Sequence, residues 1–353
     1  MTVRIAKPPV NIREKLAELE RPIGLNGQAL MATETPQQAF DLLGAGRRNL
    51  IINGDFKVSQ RGDYSSATSI STATYYLDRW KTDVSGVTAT IQRQTVTLPD
   101  GTQTYSAKIA STSTVANSYL QLQQFVELFP YIQGRTVTMS AWVRSNRQAR
   151  LRMESTSGNY DGLTAHSGSG NWEYITQTLT LGTGLSLLKF GVIFWNSSGG
   201  TTGTSTGSNI TSGDYLEFAN YQVEFGKVAT PFEYRSIGEE LALCQRYCAK
   251  FGGGSGNDAF GSGFAHGTNF YVFVPLPVSM RSTPTLTLYG TASDISVTAP
   301  GVVAAANGTP TVIGTGINST VLYITSATSF TEGYAIYARV TTSSTWFTMT
   351  AEL

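Results

Sequence analysis

Flat aromatic side chains on polar strand faces are the residues of this sequence whose type and spacing could do chemistry. Over residues 135–145, Val137, Met139, Ala141 and Val143 alternate with Thr136, Thr138, Ser140, Trp142 and Arg144, which puts Trp142 on the polar face of a predicted strand. Trp172 and Tyr174 interrupt a face continued by Thr176, Thr178 and Thr180, and Tyr119 shares a face with Gln121 and Gln123 opposite Leu120 and Leu122. Such rings suit sugars: a pyranose stacks its C–H face on an aromatic plane while its hydroxyls bond to Asn, Gln, Arg and Asp. A hairpin turning over 146–148 would pair Val143 with Leu151 and set Trp142 opposite Arg152. Arg144 and Arg150 flank that pair, and Trp195 precedes a Gly/Ser/Thr-rich stretch. The candidate glycan-binding set is therefore Trp142, Arg144, Arg150, Arg152, Trp172, Tyr174 and Trp195, with Trp142 and Arg152 at its centre. Its arginines would also complement an acidic polysaccharide. The competing reading has a second layer, a neighbouring subunit or a loop covering the rings.

Other chemistry is sparse. His166 and His266 lie among Gly, Ala, Ser and Thr, outside any nucleophile-elbow or metalloprotease spacing. Asp214 and Glu217 are a conceivable carboxylate pair for glycoside hydrolysis, but acids at strand spacing are ordinarily surface residues. The expectation is a protein without catalytic residues. Cys244 and Cys248 lie four apart on a predicted helix and read as small apolar core residues, since a metal site would need two further ligands. Neither metal nor cofactor is expected. The Asn-X-Ser/Thr matches and Arg61-Gly62-Asp63 are chance products of a polar chain. Trp80, in Tyr75-Tyr76-Leu77-Asp78-Arg79-Trp80, reads as a core anchor.

The elements that must hold these residues are strands. Only 14% of the 353 residues are charged, whereas Thr, Ser and Gly fill 117 positions, a composition suited to strand faces and turns. With a net charge of +1 and no basic cluster, a nucleic-acid footprint is absent, and no apolar run is long enough for membrane insertion by a helix. The opening residues alternate in charge, so no secretory signal is expected. Predicted strands cover 50–59, 74–82, 86–97, 104–111, 117–127, 135–145, 150–154, 171–181, 187–195 and 214–225, a spacing typical of a β-sandwich.

Charge is uneven along the chain: residues 1–48 hold 12 charged side chains, and residues 251–353 hold six. The first segment contains two short amphipathic helices. Ile12, Leu16 and Leu19 line one, while Phe40, Leu42 and Leu43 follow the capping box Thr35-Pro36-Gln37-Gln38. Too short to stand alone, they read as a docking segment. Ser236-Ile237-Gly238-Glu239 caps a further helix, whose apolar stripe Ile237, Leu241, Cys244 and Cys248 runs to Phe251. Strand patterns return at 270–274, 284–289, 321–325, 334–340 and 346–351.

Several motifs together resemble bacteriophage tail-fibre proteins that contain a jelly-roll like those of carbohydrate-binding modules. They are Asn49-Leu50-Ile51-Ile52-Asn53-Gly54-Asp55-Phe56, Gln60-Arg61-Gly62, Asp78-Arg79-Trp80, Gln222-Val223-Glu224-Phe225-Gly226 and Ala229-Thr230-Pro231-Phe232-Glu233. Leu243-Cys244-Gln245-Arg246-Tyr247 is similar to the helix that often follows, and Leu276-Pro277-Val278-Ser279-Met280-Arg281-Ser282-Thr283-Pro284 to their tip domains. The chain departs from those proteins at Ser59 and Ala141, where they often carry aromatics, which leaves a spacer role open. The resemblance implies a mainly β protein: a short N-terminal helical attachment segment (1–48), a jelly-roll β-sandwich (49–235), a connecting helix (236–251) and a small C-terminal β-sandwich tip domain (252–353). It also implies a homotrimer in the virion, made in the host cytoplasm and docked on a phage tail or baseplate protein through the N-terminal segment. Its partner would be bacterial surface polysaccharide, bound without catalysis. The alternatives are a structural tail or baseplate component and, after it, a glycan depolymerase. Related modules hold a structural calcium ion, but Asp55 and Asp214 are too few ligands to assign one.

Overall fold

A computed structural model describes residues 48–353 apart from 117, 128–129, 157, 196–208 and 255. The docking residues Ile12, Leu16, Leu19, Phe40, Leu42 and Leu43 lie outside the described residues. The protein is mainly β. Its strands begin with β1 (Thr68–Ile70), β2 (Tyr75–Leu77), β3 (Trp80–Ser85), β4 (Ala89–Thr97), β5 (Gln103–Ser111) and β6 (Tyr119–Phe125). They continue with β7 (Thr136–Ser145), β8 (Arg150–Ser155), β9 (Gly158–Ala165), β10 (Trp172–Thr180), β11 (Leu188–Trp195) and β12 (Tyr215–Phe225).

These strands form two six-stranded sheets, ordered β1-β4-β5-β12-β7-β10 and β2-β3-β6-β11-β8-β9. From β5 to β12 the chain repeatedly crosses between the sheets, which is the path of a jelly-roll. Apolar residues at alternate positions of both sheets meet in one core, including Ile109, Leu122, Val143, Leu151, Val192 and Leu216. Within this core Trp80 is fully buried, with Phe56, Phe218 and Tyr221 at ring separations of 5.2 to 5.5 Å.

The strand predicted over 50–59 is absent. Its backbone meets β12 only in the bonds from Leu50 N–H to the Val223 carbonyl and from Tyr221 N–H to the Gly54 carbonyl, and side chains take over much of the rest: Asn49 Oδ1 accepts from the N–H groups of Ile51 and Val223, and Asn53 Oδ1 accepts from that of Val58. Gln124 closes two hydrogen bonds on Ile52, and the Trp80 indole donates to the Asn53 carbonyl at 2.9 Å. The segment is an irregular plug across one end of the core. Gly54 lies so close to β12 that a Cβ there would fall 2.2 Å from the Tyr221 carbonyl oxygen.

The helix is shorter than expected. α1 (Ile237–Gln245) starts with the Ser236 hydroxyl accepting from Glu239 N–H, but after Tyr247 the chain extends as β13 (Cys248–Gly252). Pairing with the last strand, β21 (Trp346–Thr350), competes successfully with helix continuation, so Cys244 and Cys248 stand on different elements. Both are buried, and burial pushes both thiols well above their ordinary pKa.

The C-terminal β structure adds β14 (Asp258–Pro275), β15 (Thr285–Tyr289), β16 (Ile295–Ala299), β17 (Val302–Ala305), β18 (Thr311–Thr315), β19 (Ser319–Phe330) and β20 (Ala335–Val340). A three-stranded sheet, β13-β21-β15, and a six-stranded sheet, β17-β16-β20-β14-β19-β18, share a core that includes Phe270, Ile324, Ala338, Phe347 and Met349. The two halves of β14 lie against each other; a Cβ on Gly263 would fall 1.7 Å from the Tyr271 carbonyl oxygen.

The jelly-roll and this second β structure are joined by buried charge. Glu352 accepts from Arg61 at 2.7 Å and also from Arg79, which is 1% exposed and lies 3.5 Å from the Tyr247 ring centre. Gln60 bridges Asp78 and the Cys248 carbonyl, and Arg281 donates to the carbonyls of Ala351 and Glu352. Burial raises the Asp78 carboxyl pKa, opposed by Arg61 and by two hydrogen bonds from Gln60. The motifs Gln60-Arg61-Gly62 and Asp78-Arg79-Trp80 are thus joint builders. Replacing Glu352 with Ala should lower unfolding free energy by about 3 kcal/mol, because two buried guanidinium groups lose their carboxylate. Urea denaturation measures this, and an unchanged midpoint would contradict the joint.

Candidate functional site

Antiparallel register brings four of the seven predicted residues together. β7 pairs with β10 so that Trp142 lies opposite Tyr174 and Arg144 opposite Trp172. The Trp142 and Tyr174 rings are 5.3 Å apart and tilted by 54°. They stand on the outer face of the first sheet, because Ala141, Val143 and Ile175 between them point into the core. Tyr174 is 45% exposed, and partial burial raises its phenol pKa against a hydrogen bond from Ser140.

Arg144 is committed to the protein. Its Nε and Nη2 donate to Glu217 Oε2 at 3.0 and 2.6 Å, Ser106 donates to the other oxygen at 2.6 Å, and the guanidinium lies 4.9 Å from the centre of the Trp172 ring. Glu217 has no solvent exposure.

A β-bulge supplies the next wall. The β12–β7 register shifts between Ala219 and Gln222, and Asn220 adopts φ 51°. Tyr221 consequently turns into the core, where its hydroxyl donates to the Gly191 carbonyl at 3.1 Å. Asn220 bonds outward: its Nδ2 donates to the Tyr234 hydroxyl at 2.8 Å, and Thr104 donates to its Oδ1 at 3.1 Å.

Beyond β12, buried Gln222 and Glu224 fix the returning chain. Glu224 accepts from Thr230 N–H and hydroxyl, and Gln222 Oε1 accepts from Glu233 N–H. This anchorage presents Phe232 and Tyr234 as an edge-to-face pair 4.9 Å apart. The result is a cleft of about 460 Å³ lined by Asp100, Thr102, Trp142, Tyr174, Asn220, Ala229, Thr230, Pro231, Phe232 and Tyr234. Four rings with hydroxyl and carboxylate groups between them can stack on a saccharide and bond to its hydroxyls.

Arg150, Arg152 and Trp195 belong elsewhere. β7 and β8 are in different sheets, so the predicted pairing of Val143 with Leu151 does not form: both residues enter the core from opposite sides. Trp142 and Arg152 therefore occupy opposite outer faces of the sandwich. The reason lies in the 146–149 connection, which crosses between sheets where a hairpin was expected. Arg152 lies 3.8 Å from Glu154, which pairs with Lys189 at 2.6 Å. On that same face Tyr119 and Gln123 both donate to Asp83, and Gln121 donates to Gln123. Trp195 ends β11 opposite Tyr119.

Of the groups considered for catalysis, His166, Asp214 and Glu217 are engaged in structure, and His266 pairs with Glu332 at the surface. His166 is buried, with Nε2 2.9 Å from the Asn171 carbonyl and Nδ1 accepting from Gly168 N–H. Asp214 pairs with Arg147 and Glu217 with Arg144. Among the described residues no group of three or more His, Cys, Asp or Glu is placed to hold a metal ion.

No family model and no curated protein sequence matches the chain. Among solved structures, the enzymatically active domain of bacteriophage CBA120 tailspike protein 4 is similar at a TM-score of 0.32 and 11% identity, over 50% of this chain and 21% of that one. The module TmCBM61, solved with β-1,4-galactotriose, gives 0.31 and 11% over 51% of this chain and 99% of its own. A CBM4 structure gives 0.30 and 14% over 49% and 98%. The chain spans about a fifth of that tailspike structure and nearly all of each module.

The bulge generates a direct test. Asn220→Ala should cost about 2 kcal/mol, from a residue strained at positive φ and the lost bonds to Tyr234 and Thr104, whereas Asn220→Gly should cost about half as much. Equal losses in urea denaturation would contradict a backbone role for Asn220.

Proposed function

We propose that this chain is a non-enzymatic glycan-binding protein of a phage tail fibre, attaching the virion to bacterial surface polysaccharide. The cleft carries the reading: Trp142, Tyr174, Phe232 and Tyr234 converge around polar groups on the outside of a sandwich whose apolar demand is already met by its own core. Two of the motifs that resemble tail-fibre proteins, around Gln222 and Thr230, build the cleft wall, which ties the sequence resemblance to this site. In this reading residues 1–48 dock on a tail or baseplate protein, and the protein, made in the host cytoplasm, acts as a homotrimer. Self-association is supported by the six-stranded sheet of the C-terminal β structure, where Phe264, Phe273 and Tyr337 are 42 to 50% exposed.

Purified protein should adsorb to host cells and release no oligosaccharide. Trp142→Ala and Phe232→Ala should each weaken adsorption at least tenfold, because each removes a stacking surface, while near-UV circular dichroism retains the native fold. Adsorption that survives both substitutions would overturn the site, and released oligosaccharide would overturn the non-enzymatic reading. Light scattering should give three times the 38.0 kDa chain mass, and a monomer at micromolar concentration would contradict the trimer.

A further inference from the structure

The charge around the cleft limits which glycans can enter it, an inference that rests on the glycan reading of that site. Among the described residues lining the cleft, Asp100 is the one charged side chain, and no Lys or Arg is present. A second carboxylate, Glu224, lies buried behind Thr230 and bonds to its backbone and hydroxyl. Arg144, on the adjacent part of the sheet, does not line the cleft. Its Nε and Nη2 are both directed to Glu217 Oε2, and its π contact is with Trp172. Arg150 and Arg152, the cations expected to meet an acidic ligand, are on the other outer face.

An acidic sugar would bring a carboxylate, phosphate or sulfate to a site with one carboxylate at its lining, another behind it and no cation among its lining residues. Such a group would lose water without gaining a counter-charge, and it would be repelled by Asp100. Neutral pyranoses incur neither cost. Their hydroxyls find the Asp100 carboxylate and the Thr230 hydroxyl oxygen as acceptors and the hydroxyls of Thr102 and Tyr234, while the four rings take their C–H faces. We infer that the cleft selects glycans free of carboxylate, phosphate and sulfate groups, and that Asp100 enforces this selection.

An array of bacterial-type oligosaccharides, offering neutral sugars beside their uronate, sulfated and phosphorylated counterparts, tests the inference with full-length protein and with Trp142→Ala. Binding that depends on Trp142 is expected on neutral sugars at least about tenfold above their acidic counterparts, and unchanged between 50 and 500 mM salt. Asp100→Asn should narrow that ratio by about fivefold. Trp142-dependent binding that favours the acidic forms and weakens with salt would overturn the selectivity while leaving the glycan site standing. An array on which no binding depends on Trp142 would overturn both.

Discussion

One extra residue in β12 sets what both faces of its sheet can do. Without the bulge between Ala219 and Gln222, strict alternation would give Asn220 and Tyr221 each the other's side of the sheet. With it, Tyr221 enters the core against Trp80 and Phe218, and Asn220 bonds outward to Tyr234. The Tyr221 carbonyl accepts from the Asn49 side chain and lies where a Cβ on Gly54 would clash, so the plug over the end of the core is fitted to the same bulge. Core closure and cleft formation are two consequences of one backbone irregularity.

The joint between the jelly-roll and the C-terminal β structure follows different physics. Buried ion pairs give little net stability relative to apolar packing, but an arrangement that leaves one partner alone is heavily penalised. Arg61, Arg79 and Glu352 therefore act mainly by excluding other arrangements of the two parts. Tyr75 adds a hydrogen bond from its hydroxyl to the Leu353 carbonyl. The chain's final residues are thus integrated into the joint, and the cleft is carried on a platform fixed to the second β structure.

Strand faces were legible in the sequence because burial imposes period-two alternation, which β7 keeps over 136–144 and β10 keeps except for Glu173 and Gln177 at inward positions. That alternation placed Trp142, Arg144, Trp172 and Tyr174 correctly on a polar face. It could not say which sheet a strand joins: 146–149 reads as a hairpin turn, and only the crossing of the core separates Trp142 from Arg152. Phe232 and Tyr234 were hidden because they lie after the last jelly-roll strand, held by Gln222 and Glu224 in a segment with no periodicity. The motif that contains Phe232 was visible, but its role as a wall was not. Asn220 gave no signal, since a bulge leaves no mark in residue types beyond the tolerance of Asn for positive φ. The helix end at Gln245 was obscured because residues 248–251 fit either a continued stripe or a strand, and the distant partner β21 decides between them.

The central claim is that a saccharide sits against Trp142. The chain has five tryptophans, so 5-fluorotryptophan labelling gives a small set of fluorine resonances, with Trp142→Phe assigning the relevant one. Titration with oligosaccharides from host surface glycan should shift the Trp142 resonance progressively and leave that of buried Trp80 in place. Saturable binding with the Trp142 resonance unmoved would contradict the account.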